Sequence, residues 1–348
     1  MVTTFTAKTV ILSENVDAGI PKPEHFKIVE SEVLLANIPQ GGILVQILVV
    51  SADPYLRGQI RTSGSIKAGS PMNGFVAGKV LHSENENWKV NDLFGATLPF
   101  STYFIVGPEL LKQILIWKLT DYITEDKISY GIGVLGMPGA TVYGGLVDTL
   151  RPLQGETIFI SAAAGAVGGM VGQLAKALYN CKVIGSCGGT AKGKLITEEW
   201  GFDHAIDYKT LKDKDELVAA LKAVAPEGID MYFENVGGIH FAASMECLNN
   251  FGRVAVCGMI DIYNDAIPEP CNFWPMKMIY SSQRVEGFIS FAWLSGKKGG
   301  DWLGSMHKWL SEGKINIKET TTEGIENWPH AFISLFEGGN IGKVVIKI

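Results

Sequence analysis

The sequence predicts an α/β protein, in which a doubly wound parallel sheet is joined to a β-rich domain. Three observations carry this. From about residue 155 onward, strand-like runs alternate with helix-like runs. The small, glycine-rich stretch "SAAAGAVGG" (161–169) stands between the first such strand and the first such helix. From Lys8 to about Ile105 the texture is different: short apolar runs are separated by Gly, Pro, Asn and Asp, as in a compact β domain. A chain of 348 residues has room for two such domains, and neither a repeat nor a low-complexity segment interrupts it.

In the first half, "EVLLANI" (32–38), "GILVQILVV" (42–50) and "VAGKVLH" (76–82) read as strands. In the second, "ETIFIS" (156–161) is a strand and "AVGGMVGQLAKALYN" (166–180) has helical spacing. A strand at 181–187, a helix at 193–201 and a short strand at 204–208 follow. Next come a helix at 214–225 stopped by Pro226, a strand at 228–236, a helix at 239–250 and a strand at 252–259. Such alternation implies parallel strands with helices on both faces. A proline-broken loop, "DAIPEPCNFWP" (265–275), leads to a strand at 285–290 and an amphipathic helix at 300–313. The last strand-like runs, "INIKETTTEG" and "GKVVIKI", match the N-terminal texture and predict a return to the first domain.

The bulk numbers exclude several classes. Hydrophobic residues make up 47% and charged residues 19%, as in a globular protein. A net charge of −6 disfavours a nucleic-acid or anionic-membrane surface. The five cysteines (181, 187, 247, 257 and 271) are odd in number and lack C-x-x-C spacing, which favours a reducing, cytoplasmic setting. The N-terminus lacks a signal-peptide layout, and the run at 43–50 is far too short to span a bilayer. No metal site is expected, because the six histidines are scattered and the N-terminal domain has no cysteine. A G-x-S-x-G nucleophile elbow is absent.

The glycine turn reads A-A-G-A-V-G over 163–168, with Ala163 where the first glycine of a dinucleotide-binding turn is usual. Gly165 would let backbone amides approach a pyrophosphate, and Gly168 would let the helix pack on the strand. The bland alternative is a small-residue turn that only packs helix on sheet. The end of the next strand selects the cofactor. NAD sites place an acid about 20 residues beyond the glycines to hold the ribose hydroxyls. Here "GSCGGTAKGK" (185–194) has no acid but carries Lys192, with small residues leaving room for a 2′-phosphate. That pattern favours NADPH; the alternative for Lys192 is a solvated helix lysine.

Seven segments together point to a family: "SADPYLRG" (51–58), "GMPGATVYGGL" (136–146), "SAAAGAVGG" (161–169), "GFDHAIDYK" (201–209), "YFENVGG" (232–238), "CGMIDIYN" (257–264) and "GGNIGK" (338–343). The sequence resembles the zinc-free prostaglandin reductases and alkenal double-bond reductases of the medium-chain dehydrogenase/reductase superfamily, over nearly its whole length. The resemblance implies a GroES-like domain over 1–131 and 317–348, a Rossmann NADPH-binding domain over 132–316, and an active cleft between them. It implies NADPH-dependent reduction of the C=C bond of α,β-unsaturated ketones and aldehydes. By its pattern the cofactor contacts fall on Gly165, Ala166, Val167 and Gly168, on Lys192 and Tyr208 for the 2′-phosphate, and on Asn235. They continue through the loop from Cys257 and Gly258 to Tyr263, through Phe288, Ile289 and Ser290, and to Asn340. Tyr263 matches the family's tyrosine near the substrate carbonyl, and Tyr55 a tyrosine at the cleft. The stretches 101–118 and 265–275 depart from the pattern, which leaves the natural substrate open. A homodimer is expected, paired through an edge strand such as 285–290.

This predicts hydride delivery to the β-carbon, with Tyr263 donating a hydrogen bond to the developing enolate oxygen. Tyr263 is otherwise an ordinary loop tyrosine. Two readings compete: a zinc-free NADPH quinone oxidoreductase of the same superfamily, and a catalytically silent NADPH-binding protein.

Overall fold

The computed structural model describes residues 3–270 and 275–348. Two compact units emerge from the contacts within the chain. The first comprises Met1–Met137, Thr320–Asn340 and Val344–Ile348; the second comprises Pro138–Glu319 and Ile341–Lys343. The expected features at Cys271, Asn272, Phe273 and Trp274 lie outside the described residues.

The first unit is built on strand Ile43–Ser51, whose residues are mostly buried on both sides of the chain. It pairs antiparallel with Asn73–Ser83, with Tyr103–Val106 and with Lys343–Lys347. Leu93–Pro99 and Ile116–Lys118 extend the sheet on one side and Glu319–Glu323 on the other, giving seven strands. A separate antiparallel pair, Thr4–Leu12 with Phe26–Leu34, completes the strands. Val45, Ile47, Phe94, Phe100, Trp328 and Phe332 are among the residues of one apolar core. Each such large side chain removed from water contributes about 1.5–3 kcal/mol. Trp328 enters that core with its indole N–H donating to Ser51 O at 2.9 Å, so the polar end of a fully buried ring is satisfied.

The second unit contains a parallel six-stranded sheet in the spatial order His204–Asp207, Lys182–Cys187, Thr157–Ile160, Ile229–Glu234, Leu248–Val256, Arg284–Gly287. All its pairings are parallel. The order reverses direction between Thr157–Ile160 and Ile229–Glu234, which makes that junction the topological switch point. "TIFI" and "IDMYFE" are nearly continuous apolar runs because helices cover both faces of a parallel sheet. A second core, including Phe159, Ile184, Leu217, Leu221, Tyr232 and Phe241, fills the space beneath one helical layer.

The elements depart from the sequence expectations in four places. The helix expected at 193–201 begins earlier, at Thr190, and continues as a wider turn over Leu195–Glu199. The helix expected to reach residue 250 stops at Cys247, and the next strand starts at Leu248. Asn249 and Asn250, expected in the last turn of that helix, sit instead in that strand, whose register shifts before Arg253; Phe251 there takes a left-handed φ of 62°. The helical stretch Met137–Leu150 gave no sequence signal, because Pro138, Gly144 and Gly145 depress helix propensity. Tertiary packing explains the two glycines. A methyl at Gly144 would lie 2.6 Å from the Trp293 ring, and one at Gly145 would lie 2.5 Å from Phe233 and 2.6 Å from Phe288. The fourth departure is the helix Pro275–Ser281, at the end of the loop expected over 265–275.

Candidate active site

The glycine turn connects strand Thr157–Ile160 to helix Ala166–Tyr179, with Gly165 as the helix N-cap. A glycine cap offers no side chain to the first amides of the helix, so the N–H groups of Ala166, Val167 and Gly168 point toward any anion placed before them. Gly168 is required by space: a methyl there would lie 2.5 Å from Ala162 O and 3.0 Å from Ala163 Cα. The strained residue of the turn is Ala162, at φ 50°, one position before the usual first glycine. Ala163 N–H donates to Ser186 O at 2.9 Å, which ties the turn to the neighbouring strand. On the other side, Gly342 N–H donates to Ala164 O at 2.8 Å. Asn340 precedes Gly342 by two residues and closes the first unit's segment.

Beneath the turn lies a buried polar floor. Glu234, fully buried, accepts on Oε1 from the Tyr232 hydroxyl at 2.7 Å, Ser161 Oγ at 3.1 Å, Val236 N–H at 2.6 Å and Gly237 N–H at 3.0 Å. Burial pushes its carboxyl up, and the four donors oppose that shift. Asn235 donates its side-chain amide to Ser161 O at 2.7 Å and its backbone N–H to Ser161 Oγ at 2.9 Å. The floor therefore joins the carboxyl ends of the two strands that flank the switch point.

The loop carrying Tyr263 hangs from the same strand end. Cys257 and Gly258 N–H both donate to Glu234 O, at 2.9 and 3.1 Å. Ile260 N–H donates to Asn235 O at 3.1 Å and Asp261 N–H to Val236 O at 3.0 Å. Tyr263 folds back so that its hydroxyl oxygen accepts from Met259 N–H at 3.3 Å. A methyl at Gly258 would lie 3.1 Å from that hydroxyl. Burial raises the Tyr263 phenol above its ordinary range, so it keeps its proton at neutral pH and acts as a donor. Cys257 is held as a thiol, its value pushed up to about 12 by burial and by the nearby Glu234. Phe288 lies just past strand Arg284–Gly287, edge-on to Phe233 and Trp293 at 6.0 Å each. Ile289 beside it is 71% exposed, and Ser290 caps the short helix Phe291–Leu294.

At the other end of the edge, Lys192 lies in helix Thr190–Lys194 and Tyr208 in the turn after strand His204–Asp207. Burial lowers the Lys192 ammonium and raises the Tyr208 phenol. Sequence reading found no acid at 185–194, but Asp207, on the adjacent strand, reaches into this loop. Its Oδ1 accepts from Gly189 N–H at 2.9 Å and Lys209 N–H at 3.1 Å. His240, buried, meets the Tyr208 ring edge-on at 5.7 Å and lies 2.9 Å from Ser186 Oγ through Nε2. Burial alone lowers it to about 4. Neither Asp207 nor His240 was singled out from the sequence, because their signal is spatial.

The second unit thus gathers 165–168, Lys192, Tyr208, Asn235 and the 257–263 loop along the carboxyl ends of one parallel sheet, astride its switch point. That is where open α/β sheets bind dinucleotides. The donor set fits NADPH: free helix amides for the pyrophosphate, a lysine and a phenol for a 2′-phosphate, and no carboxylate aimed at that corner from the 185–194 loop. Tyr55 lies in the first unit, next to helix Leu56–Gln59. Its ring meets Phe75 edge-on at 6.3 Å, and Phe75 meets Trp117 at 6.4 Å.

Comparison with known proteins agrees in kind. Residues 166–304 match a family described as zinc-binding dehydrogenase, and 8–114 match one described as N-terminal domain of oxidoreductase. The chain is 37% identical to prostaglandin reductase 1 of Bos taurus over 94% of this chain and 95% of that protein. The chain belongs to the medium-chain dehydrogenase/reductase family, in its prostaglandin and alkenal reductase branch. It is also 38% identical to an NADP(+)-dependent 2-alkenal reductase of Nicotiana tabacum, over 98% of this chain and 97% of that one. Its fold is similar to that of CurA from Vibrio vulnificus, solved in complex with NADPH, with a TM-score of 0.86 at 34% identity and 98% coverage of each chain. The fold is therefore the Rossmann plus GroES-like pair that the branch implies. Despite the matched family's description, no group of three or more His, Cys, Asp or Glu side chains among the described residues could hold a metal. No helix among them is long and apolar enough to cross a membrane.

Proposed function

We propose that this protein uses NADPH to reduce the carbon–carbon double bond of α,β-unsaturated ketones and aldehydes. It is an oxidoreductase acting on CH–CH bonds of small molecules. The observation that carries this reading is the convergence of the glycine turn, the Lys192–Tyr208 corner and the Tyr263 loop on one sheet edge. When bound, NADPH supplies a hydride, which this chemistry adds to the β-carbon.

The chain's own residues do the rest. The amides of Ala166, Val167 and Gly168 hold the pyrophosphate, and Gly165 keeps their approach open. Lys192 and Tyr208 hold the 2′-phosphate. Asn235, Cys257, Gly258, Phe288, Ile289, Ser290 and Asn340 complete the cofactor contacts. Addition at the β-carbon would leave negative charge on the carbonyl oxygen, as an enolate that then takes up a proton from solvent at its α-carbon. The protonated Tyr263 hydroxyl donates to that oxygen, with its own oxygen anchored by Met259 N–H. Tyr55, with Phe75 and Trp117 packed in series beside it, is an apolar substrate contact. This favours a long or aromatic enone or enal, of the prostaglandin or alkenal kind, over a small polar one. The protein works as a homodimer through the outer edge of strand Arg284–Gly287. A cytoplasmic setting suits its four free described cysteines.

The test is Tyr263→Phe, with NADPH binding measured separately by fluorescence. Loss of one well-placed donor costs about 2.7–4 kcal/mol of transition-state stabilisation, a fall of about 100- to 1,000-fold in kcat. NADPH affinity should change less than threefold. Unchanged enone turnover would remove Tyr263 from the chemistry.

A further inference from the structure

We propose that Lys209 is a specificity-determining residue for the cofactor, a second cation that grips the 2′-phosphate opposite Lys192. The inference rests on the NADPH reading above and adds to that corner a residue that is not among the cofactor contacts given there.

The geometry begins with Gly188. A methyl group placed there would lie 2.9 Å from Lys209 Cε and 3.1 Å from the Tyr208 hydroxyl. The lysine stem and the phenol therefore lie together over the backbone of the loop that follows strand Lys182–Cys187. An exposed lysine with nothing to face would extend into solvent, because ordering its stem costs rotamer entropy. Here the turn directs it inward. Tyr208–Thr210 forms a single tight turn, and Asp207 caps it. Asp207 Oδ1 takes amides from both loops, Gly189 and Lys209, and so draws them together. That carboxylate oxygen is committed to backbone donors.

Lys209 also faces its own kind. Its charge is among the causes that lower the Lys192 ammonium, after burial and against the opposing effect of Cys187. The two lysines thus place positive charge on one corner, beside the phenol that stands over Gly188. A phosphate dianion at that corner is attracted by both charges. A ribose with only hydroxyls carries no such charge, so the gain belongs to the 2′-phosphate alone.

The test titrates two fragments, 2′,5′-ADP and 5′-AMP, into the full-length protein by calorimetry. These report the adenosine corner without any turnover. Wild type is expected to bind 2′,5′-ADP much more tightly than 5′-AMP. Lys209→Ala should weaken 2′,5′-ADP about fivefold, the upper range of an exposed, charge-assisted contact, and leave 5′-AMP within twofold. Lys209→Arg should keep the preference, and Lys192→Ala with Lys209→Ala should abolish it. Lys209 is exposed, so these variants are expected to keep the wild-type melting temperature. If Lys209→Ala leaves the 2′,5′-ADP to 5′-AMP ratio within twofold while Lys192→Ala lowers it, Lys209 is not a determinant. An equal weakening of both fragments by Lys209→Ala likewise overturns the proposal. A wild type that binds both fragments equally contradicts the NADPH reading itself, and this inference with it.

Discussion

Two corners of the same sheet edge are built from opposite materials. At the switch point, Ser161, Tyr232 and Glu234 are fully buried, and one carboxylate oxygen collects four hydrogen bonds. At the far end, Gly188, Lys192, Tyr208 and Lys209 are half-buried or exposed and carry two like charges. The buried floor fixes backbone: it sets where Asn235, the glycine turn and the Tyr263 loop stand. On the proposed reading, the open corner instead discriminates between ligands. Substitutions in the first should therefore be read as stability changes, and substitutions in the second as changes in cofactor preference.

The largest expected effect tests the floor. Glu234→Ala removes the acceptor that the Tyr232 and Ser161 hydroxyls share and leaves the Val236 and Gly237 amides without one, and should cost about 3–5 kcal/mol in chemical denaturation. Glu234→Gln keeps an acceptor at Oε1 and should cost about 1 kcal/mol. Equal losses for the two would mean that the charge, and not the acceptor geometry, holds the strand ends together.

A somewhat smaller effect sits between the corners. His240 is lowered from 6.5 to about 4 in the folded state. The unfolded chain therefore binds more protons at this site between pH 6.5 and 4, and stability falls as pH drops through that window. The full effect is on the order of 3 kcal/mol. Denaturation midpoints from pH 7 to pH 4 should fall more steeply for wild type than for His240→Asn, which keeps a partner for Ser186. Parallel curves would show that His240 does not govern the acid limb.

The smallest effect tests the open corner. Lys192→Ala should raise the KM for NADPH about tenfold, roughly 1.4 kcal/mol, and leave that for NADH nearly unchanged. Its melting temperature should match wild type. An equal rise for both coenzymes would move Lys192 from the 2′-phosphate to a contact common to both.

The same contrast explains what could be read from the sequence. The parallel sheet and the phosphate turn were legible because strand, glycine turn and helix are local, and their periods differ. Lys192 was legible as a cation where an acid would be usual. Tyr263 was legible only through the resemblance of its segment, since nothing in "CGMIDIYN" shows that the loop is threaded onto Glu234, Asn235 and Val236. Asp207, Lys209 and His240 were not singled out, because their roles depend on loops from different strands meeting. Helix Met137–Leu150 was hidden by glycines that the packing of Trp293, Phe233 and Phe288 requires. Strand Leu248–Val256 begins earlier than expected because Leu248 already pairs with Ile229, while the two asparagines, poor strand formers, fall in the register shift before Arg253.

The central claim is that the hydride of NADPH goes to carbon and saturates the alkene. Incubation of the protein with C4-deuterated NADPH and a medium-chain enone, followed by mass spectrometry and NMR of the product, tests this directly. The account predicts a saturated ketone with deuterium at the β-carbon. Deuterium at the carbonyl carbon of an allylic alcohol, or NADPH oxidised by quinones while enones are untouched, would contradict it.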